Sequence, residues 1–320
     1  MKSTEIGSTG VQLSELSFGT SGLGDMPDTY GYSVDEDRAR ATIRAIFDSP
    51  ANLIDAARNY GMGRSEERVG AVIRELGGLP EGMVISTKLD RDMDNLRFDA
   101  DQARRSLEES LTALHVDRVG LLHLHDPEHA ADVSEITREG GALDALFRMK
   151  EEGTAQAVGL AMGDVELFRS ILKDWPFDAI ISHNRYTLLN RNADLLFDEA
   201  HARGIAIINA APFASGVLAK GTAASNLIAY QPASDAALEP VRRIEAICAE
   251  YEVPLAAAAL QFSMRDPRVA STLLGVTKPA RVAATLDLAA APIPNACWEA
   301  LEALPYATGD PEATRDYRPG

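Results

Sequence analysis

Short runs rich in Val, Ile and Leu alternate with longer amphipathic stretches almost from one end of the chain to the other. That alternation is the pattern of βα units on a parallel sheet, and it constrains the fold more than any composition figure does. The apolar runs fall at Leu16 to Gly19, Leu53 to Ala56, Val84 to Lys88, Val119 to His125, Ala155 to Ala161, Ala179 to Ser182, Ala206 to Ala210 and Val269 to Leu274. Helical patterns lie between them, near 34–48, 65–76, 99–114, 141–152, 164–174, 190–203 and 238–251, with one more near 279–290. Eight strands and eight helices in strict alternation predict an α/β fold, a closed (β/α)8 TIM barrel. A chain of 320 residues also has the length for two average domains, but no linker divides it, so residues 1–320 are read as one barrel domain.

Local signals sharpen the boundaries. "EIGSTGVQLSEL", ahead of the first barrel strand, predicts a β-hairpin turning at Ser8 to Gly10 and covering the bottom of the barrel. Ser33 and Glu36 form a capping-box pattern, and Pro279 stands where the first turn of the last barrel helix should begin. The long irregular stretch from Ala211 to Ala236 lies on the strand-to-helix side, where barrel enzymes keep functional loops. The polar tail "GDPEATRDYRPG" reads as loosely ordered.

No stretch approaches about 18 consecutive apolar residues, and the N-terminus lacks the charged, apolar, small-residue order of an export signal. The expectation is a soluble cytoplasmic protein. A formal net charge of -17 repels nucleic acid and anionic membranes, which leaves small molecules or protein partners. Oligomeric state is not legible. Cys248 and Cys297 sit in helical-looking segments without a paired metal spacing, so they read as buried, inert thiols.

A barrel of this kind keeps its chemistry at the strand ends. Asp55 ends the second strand, Lys88 the third and His125 the fourth, while Tyr60 follows five residues after Asp55 in "DAARNYG". A lysine closing the apolar run "MVISTK" must be paired or shift its pKa. A tyrosine moves a proton near neutral pH only if its pKa of about 10 falls by roughly two to three pH units, worth about 3 to 4 kcal/mol. Lys88 would supply that, Asp55 would keep Lys88 charged, and His125 would hydrogen-bond the reacting oxygen.

"LLHLHDP" offers a rival, since His123 and His125 share a strand face. With His183 and Asp55 they are the ingredients of a zinc hydrolase. That class carries its His-x-His pair on the first strand rather than the fourth, and the reading leaves Tyr60 and Lys88 without a role. No metal is expected, and His123 reads as a wall residue.

These residues resemble the aldo-keto reductases. "NLIDAARNYGMGRSEERVG" is similar to the family's "DTAxxYGxGxSE" signature, "VISTKLD" to its lysine strand, and "SLTALHVDRVGLLHLHDP" to its "SLxxLxxDYIDLYLIHWP". "GTAQAVGLAMG" and "PFASGVLAKG" resemble two later segments, so the likeness runs from about residue 14 to 305. It implies Tyr60 as general acid/base, Lys88 lowering its pKa, Asp55 paired with Lys88, and His125 orienting the substrate oxygen. It also implies a nicotinamide dinucleotide extended across the barrel mouth, and the chain indeed has no "GxGxxG". Gly19 and Thr20 would approach that cofactor.

Departures from the family pattern carry information. Ser21 and Asp126 stand where many members have Trp, so two aromatic walls become polar and a hydroxylated, sugar-like substrate is favoured. "LLHLHDPE", "NRYTLL", "NAAPFASGVLAKG" and "AYQPAS" are similar to the branch containing aldose 1-dehydrogenases, L-galactose dehydrogenase and pyridoxal 4-dehydrogenase. That branch oxidises a cyclic hemiacetal to a lactone; a pyridoxal 4-dehydrogenase or a general NADPH reductase is the alternative, and a non-catalytic dinucleotide-binding subunit a remoter one. In "LGVTKPAR", Gly275 and Val276 replace the Lys and Ser that hold a 2′-phosphate, so NAD is favoured, with NADP open through Lys278 and Arg281. The family's Ser-Asn carboxamide pair becomes Ala161-Met162 and its stacking Tyr becomes Ala210. His183 or Asn184 would take over the amide contact, Phe213 the apolar cover, and Ser215, Gly216 and Leu218 would approach the pyrophosphate.

Overall fold

The computed structural model describes residues 1–315. Eight parallel strands close into a ring: β1 (Leu16–Gly19), β2 (Leu53–Asp55), β3 (Val84–Leu89), β4 (Val119–His125), β5 (Ala155–Ala161), β6 (Ala179–His183), β7 (Ala206–Ala210) and β8 (Val269–Gly275). Closure is made by β8 on β1, with Thr272 to Gly275 paired against Leu16 to Gly19. Outside the ring lie α1 (Glu36–Phe47), α2 (Arg64–Glu75), α3 (Ala100–Leu114), α4 (Ala142–Glu151), α5 (Val165–Asp174), α6 (Asp194–Ala202), α7 (Asp235–Glu250), α8 (Leu255–Met264), α9 (Pro279–Ala290) and α10 (Asn295–Glu302). No helix among the described residues is long and apolar enough to cross a membrane.

The strand period of two decides what enters the barrel. Leu53, Leu121, Ala157, Ala179, Ile181 and Ile208 form a small apolar cluster, and the hairpin of Ser3–Glu5 with Gln12–Ser14 adds Ile6, Val11 and Leu13 to it. These hairpin residues are buried, so the hairpin stops the bottom of the barrel as expected. One or two pleats higher the same inward face becomes polar: Ser86 and Lys88 on β3, His123 and His125 on β4, Asp55 ending β2. The strands' other faces pack against the helices in the larger core.

Several expectations are corrected. The cap of α1 is Asp35, whose carboxylate accepts the Arg38 N–H at 2.9 Å, so Ser33 and Glu36 form no capping box. Pro279 does open α9, with Lys278 at the cap position. The helix α8 breaks the strict alternation; its buried residues run almost consecutively from Ala257 to Ser263, leaving no amphipathic stripe to read. Inside the irregular stretch, Leu227–Ile228 and Gln231–Pro232 form a small hairpin whose turn residues, Ala229 and Tyr230, both have positive φ. Such a turn normally takes Gly or Asn, so this one holds backbone strain. The tail read as loose is instead packed on the barrel mouth through residues 310–315; its last residues, 316–320, lie outside the described residues.

Candidate active site

Asp55, Tyr60, Lys88 and His125 come together at the strand tips. The Lys88 ammonium lies 2.7 Å from Asp55 Oδ2 and donates a further bond to the Ala56 carbonyl at 2.8 Å. Both residues are almost wholly buried, at 1% and 2% exposure, so each charge depends on the other. Ser86 donates to the second Asp55 oxygen at 2.9 Å. The same ammonium stands 4.5 Å from the Tyr60 ring centroid, and the His125 ring meets Tyr60 edge-on with centroids 5.7 Å apart.

Electrostatics around Tyr60 differ from the expectation of a lowered pKa. Packing of protein around the phenol, and then the charges of Asp55 and Asp126, push its pKa well above 10. These surroundings favour the neutral phenol. His125 is the opposite case: burial opposes its charge, but Asp126 and Asp90 outweigh that and raise its pKa. Its Nδ1 lies 2.6 Å from Asp90 Oδ1, and its Nε2 is 3.6 Å from Asp126 Oδ2.

His123 lies one pleat deeper and is fully buried. Its Nδ1 is 3.3 Å from Ser86 Oγ, and burial, together with Lys88 and His125, pushes its pKa well below 6.5. Asp55 is bound to Lys88 and His183 Nε2 to Glu312 at 3.1 Å, so the four groups of the zinc reading have separate partners. No group of three or more His, Cys, Asp or Glu able to hold a metal occurs among the described residues. Cys248 and Cys297 are buried free thiols, and burial raises Cys248 to about 12.

The mouth combines the two expected polar positions, Asp126 and Ser21, with three tyrosines, Tyr30, Tyr32 and Tyr230. Asp126 adopts a left-handed conformation, makes no side-chain cap for the turn it precedes, and is 9% exposed. Burial opposes its charge, yet His125, His183, His129 and Arg91 hold its carboxyl below the usual range. The Ser21 hydroxyl is bonded to Tyr30 at 2.6 Å, so this wall is not the open polar surface expected. Tyr30 stacks with Tyr32 at 5.8 Å and meets Tyr230 edge-on at 6.1 Å, which restores an aromatic wall from two remote segments.

The cofactor positions divide. Lys278 and Arg281 are exposed at the N-terminal end of α9, with no side-chain partner among the described residues, and Gly275 opens beside Gly19. That end suits a nucleotide phosphate. Thr20 differs from expectation: it is fully buried, with its hydroxyl bonded to the Asp55 carbonyl and to Ser65. Ser215 Oγ accepts the Tyr230 N–H, and the Gly216 and Leu218 N–H groups both reach the partly buried Phe213's carbonyl, so the two expected backbone donors at Gly216 and Leu218 are already engaged. His183 and Asn184 are held by the tail: Asn184 Nδ2 donates to Glu312 Oε1 at 2.9 Å, and Arg185 binds Asp310 and Glu312.

Comparison with known proteins gives the family and the fold. Residues 15–305 match the model of the Aldo/keto reductase family, and the chain belongs to that family of nicotinamide-dependent oxidoreductases. It is 30% identical to pyridoxal 4-dehydrogenase of Microbacterium luteolum over 92% of this chain and 95% of that protein. It is likewise 30% identical to D-threo-aldose 1-dehydrogenase of a Pseudomonas species, covering 94% and 97%, and 29% identical to L-galactose dehydrogenase of Arabidopsis thaliana, covering 87% and 84%. Among solved structures, a holo aldo-keto reductase from Bacillus halodurans superposes with a TM-score of 0.76 at 21% identity, covering 99% of this chain and 100% of that one. Glycerol dehydrogenase from Gluconobacter oxydans gives 0.74 at 21%, covering 94% of each, and both show the shared barrel.

Proposed function

We propose that the chain is an aldose 1-dehydrogenase, oxidising the cyclic hemiacetal of a sugar of the L-fucose, L-galactose or D-arabinose type to its lactone. The observation that supports this most is Asp126: a buried carboxylate beside His125, at a position where an apolar pocket would carry an aromatic ring. A carboxylate there accepts hydrogen bonds from sugar hydroxyls, and discrimination by paired polar groups is strong. Similarity to D-threo-aldose 1-dehydrogenase and L-galactose dehydrogenase supports the same substrate class.

When bound, the oxidised nicotinamide supplies the hydride acceptor and a positive charge beside the phenol. Tyr60 takes the proton of the anomeric hydroxyl, with the nearby Lys88 ammonium stabilising the phenolate that must form first. His125 holds the anomeric oxygen through Nε2 while the carbon–hydrogen bond breaks and the carbonyl forms. Asp55 keeps Lys88 charged and fixed. NAD is the preferred cofactor, because Gly275 and Val276 give a 2′-phosphate no partner, while Lys278 and Arg281 leave NADP usable.

The stacked Tyr30 and Tyr32, with Tyr230 across them, support a second reading, a flat aromatic substrate such as pyridoxal. A panel of L-fucose, L-galactose, D-arabinose, L-rhamnose and pyridoxal, each with NAD and NADP, separates the two. Lactone formation from the sugars is the expected outcome. Turnover of pyridoxal alone, or reduction of simple aldehydes by NADPH without sugar oxidation, would overturn the proposal.

A further inference from the structure

Asp90 follows Lys88 by two residues, so the two leave β3 on the same side. Each makes one short charged contact toward Tyr60's surroundings, Lys88 with Asp55 and Asp90 with His125. Asp90 is 2% exposed, and its two carboxylate oxygens are divided between two elements. Oδ1 faces His125 Nδ1 at 2.6 Å, while Oδ2 accepts the backbone N–H of Asn59, the residue before Tyr60, at 2.8 Å. Its own backbone is fixed by α3: the Asp90 N–H donates to Ser106 Oγ at 2.9 Å, and Gln102 Nε2 donates to the Asp90 carbonyl at 3.1 Å.

We infer that Asp90 is a positioning residue for this site, a single carboxylate that sets the ring of His125 through Nδ1 and the chain entering Tyr60 through the Asn59 amide. The inference rests on the reading of His125 and Tyr60 as the groups that meet the substrate oxygen. Its chemical consequence follows from the inventory of imidazole protons. With Nδ1–H committed to Asp90, a neutral His125 presents a bare Nε2, which accepts but cannot donate. Holding the substrate oxygen by donation therefore requires the imidazolium, and Asp90 keeps it available.

The charged groups around the ring agree with that form. Lys88 faces it from β3, Asp90 from just beyond the end of β3, Tyr60 from the loop after β2, His123 from below on β4, and Asp126 and His129 from beyond the end of β4. Two carboxylates bracket its two nitrogens, against one ammonium.

The test uses the full chain with its six histidines labelled with nitrogen-15, His125→Gln serving to assign the His125 signals. In the wild type, Nδ1 of His125 is expected to carry a proton from about pH 5 to pH 9; a neutral tautomer protonated on Nε2 alone overturns the inference. In Asp90→Asn the His125 titration moves down by about one pH unit or more. With a turned-over substrate, the alkaline limb of kcat/KM moves with it; an unmoved titration with merely lower activity means a structural role and overturns the inference. Where Asp90→Asn does not fold, the wild-type tautomer decides alone. If the titration shifts but no aldose is oxidised, the substrate reading fails and the role of Asp90 stands; sugar oxidation with an unmoved titration is the reverse.

Discussion

Gly159 on β5 stands so close to His123 on β4 that a β-carbon there would fall 2.4 Å from the imidazole Cδ2. The carbonyl of Ala179 would lie 2.8 Å away on the other side. The His123 ring thus occupies the volume a side chain at 159 would need, in the middle of the barrel. Gly159→Ala is expected to cost about 1–3 kcal/mol through overpacking. Urea unfolding of the variant checks this, and a loss under about 0.5 kcal/mol would mean the strands shift apart freely.

Lys88→Met removes the only cation in contact with the buried Asp55 carboxylate among the described residues. Breaking one side of a buried pair costs about 3–5 kcal/mol. The double variant Lys88→Met/Asp55→Asn should regain much of that stability without regaining turnover. Chemical denaturation of the four proteins as a double-mutant cycle gives the coupling, and additive losses would contradict the pairing.

Tyr60→Phe keeps the ring and removes the hydroxyl. Hydride transfer should fall by at least about 10²-fold, while dinucleotide affinity, read by protein fluorescence, stays within a few fold. His123→Ala should preserve far more activity than His125→Ala, since only His125 reaches the strand tip. Equal losses would place both rings at the reacting oxygen.

Glu312 supplies a pH dependence. Burial opposes its charge, but His183, Arg185 and Asn184 hold its carboxyl well below the usual carboxylate range. A carboxylate with a depressed folded-state pKa stabilises the docked tail above its ordinary pKa of about 4.3, and that contribution is lost as pH falls through the folded value. Hydrogen exchange of residues 310–315 should stay slow from pH 8 to about 5 and quicken only in stronger acid, after correction for intrinsic rates. Glu312→Ala should expose the tail at pH 7 and free His183 and Asn184, tightening dinucleotide binding by a few fold. Tail protection that disappears near pH 6 would assign the contact to another group.

Much of the fold is legible because strand and helix periods are local properties, and the ends of most barrel strands were placed within a residue. The helix α8 was missed because a uniformly apolar segment has no period, and the α1 cap because two acceptors, Ser33 and Asp35, precede the same helix. The four residues at the strand tips were legible through motif spacing. Asp90 is signalled only by its offset of two from Lys88, and an Asp just beyond a strand reads equally well as a solvated cap. Tyr30, Tyr230 and Glu312 leave no such trace, since their meeting depends on the closed ring bringing remote segments to one rim.

The contacts at the mouth also imply an order of assembly during synthesis. The Asp55–Lys88 and Asp90–His125 pairs span 33 and 35 residues, whereas Asn184 waits for a partner 128 positions downstream. A nascent chain emerging N-terminus first contains all four partners of the inner pairs well before β8 exists to close the ring or Glu312 to cover it. The polar centre is therefore complete in sequence before the ring that encloses it, and the cover is the last part of the mouth to arrive.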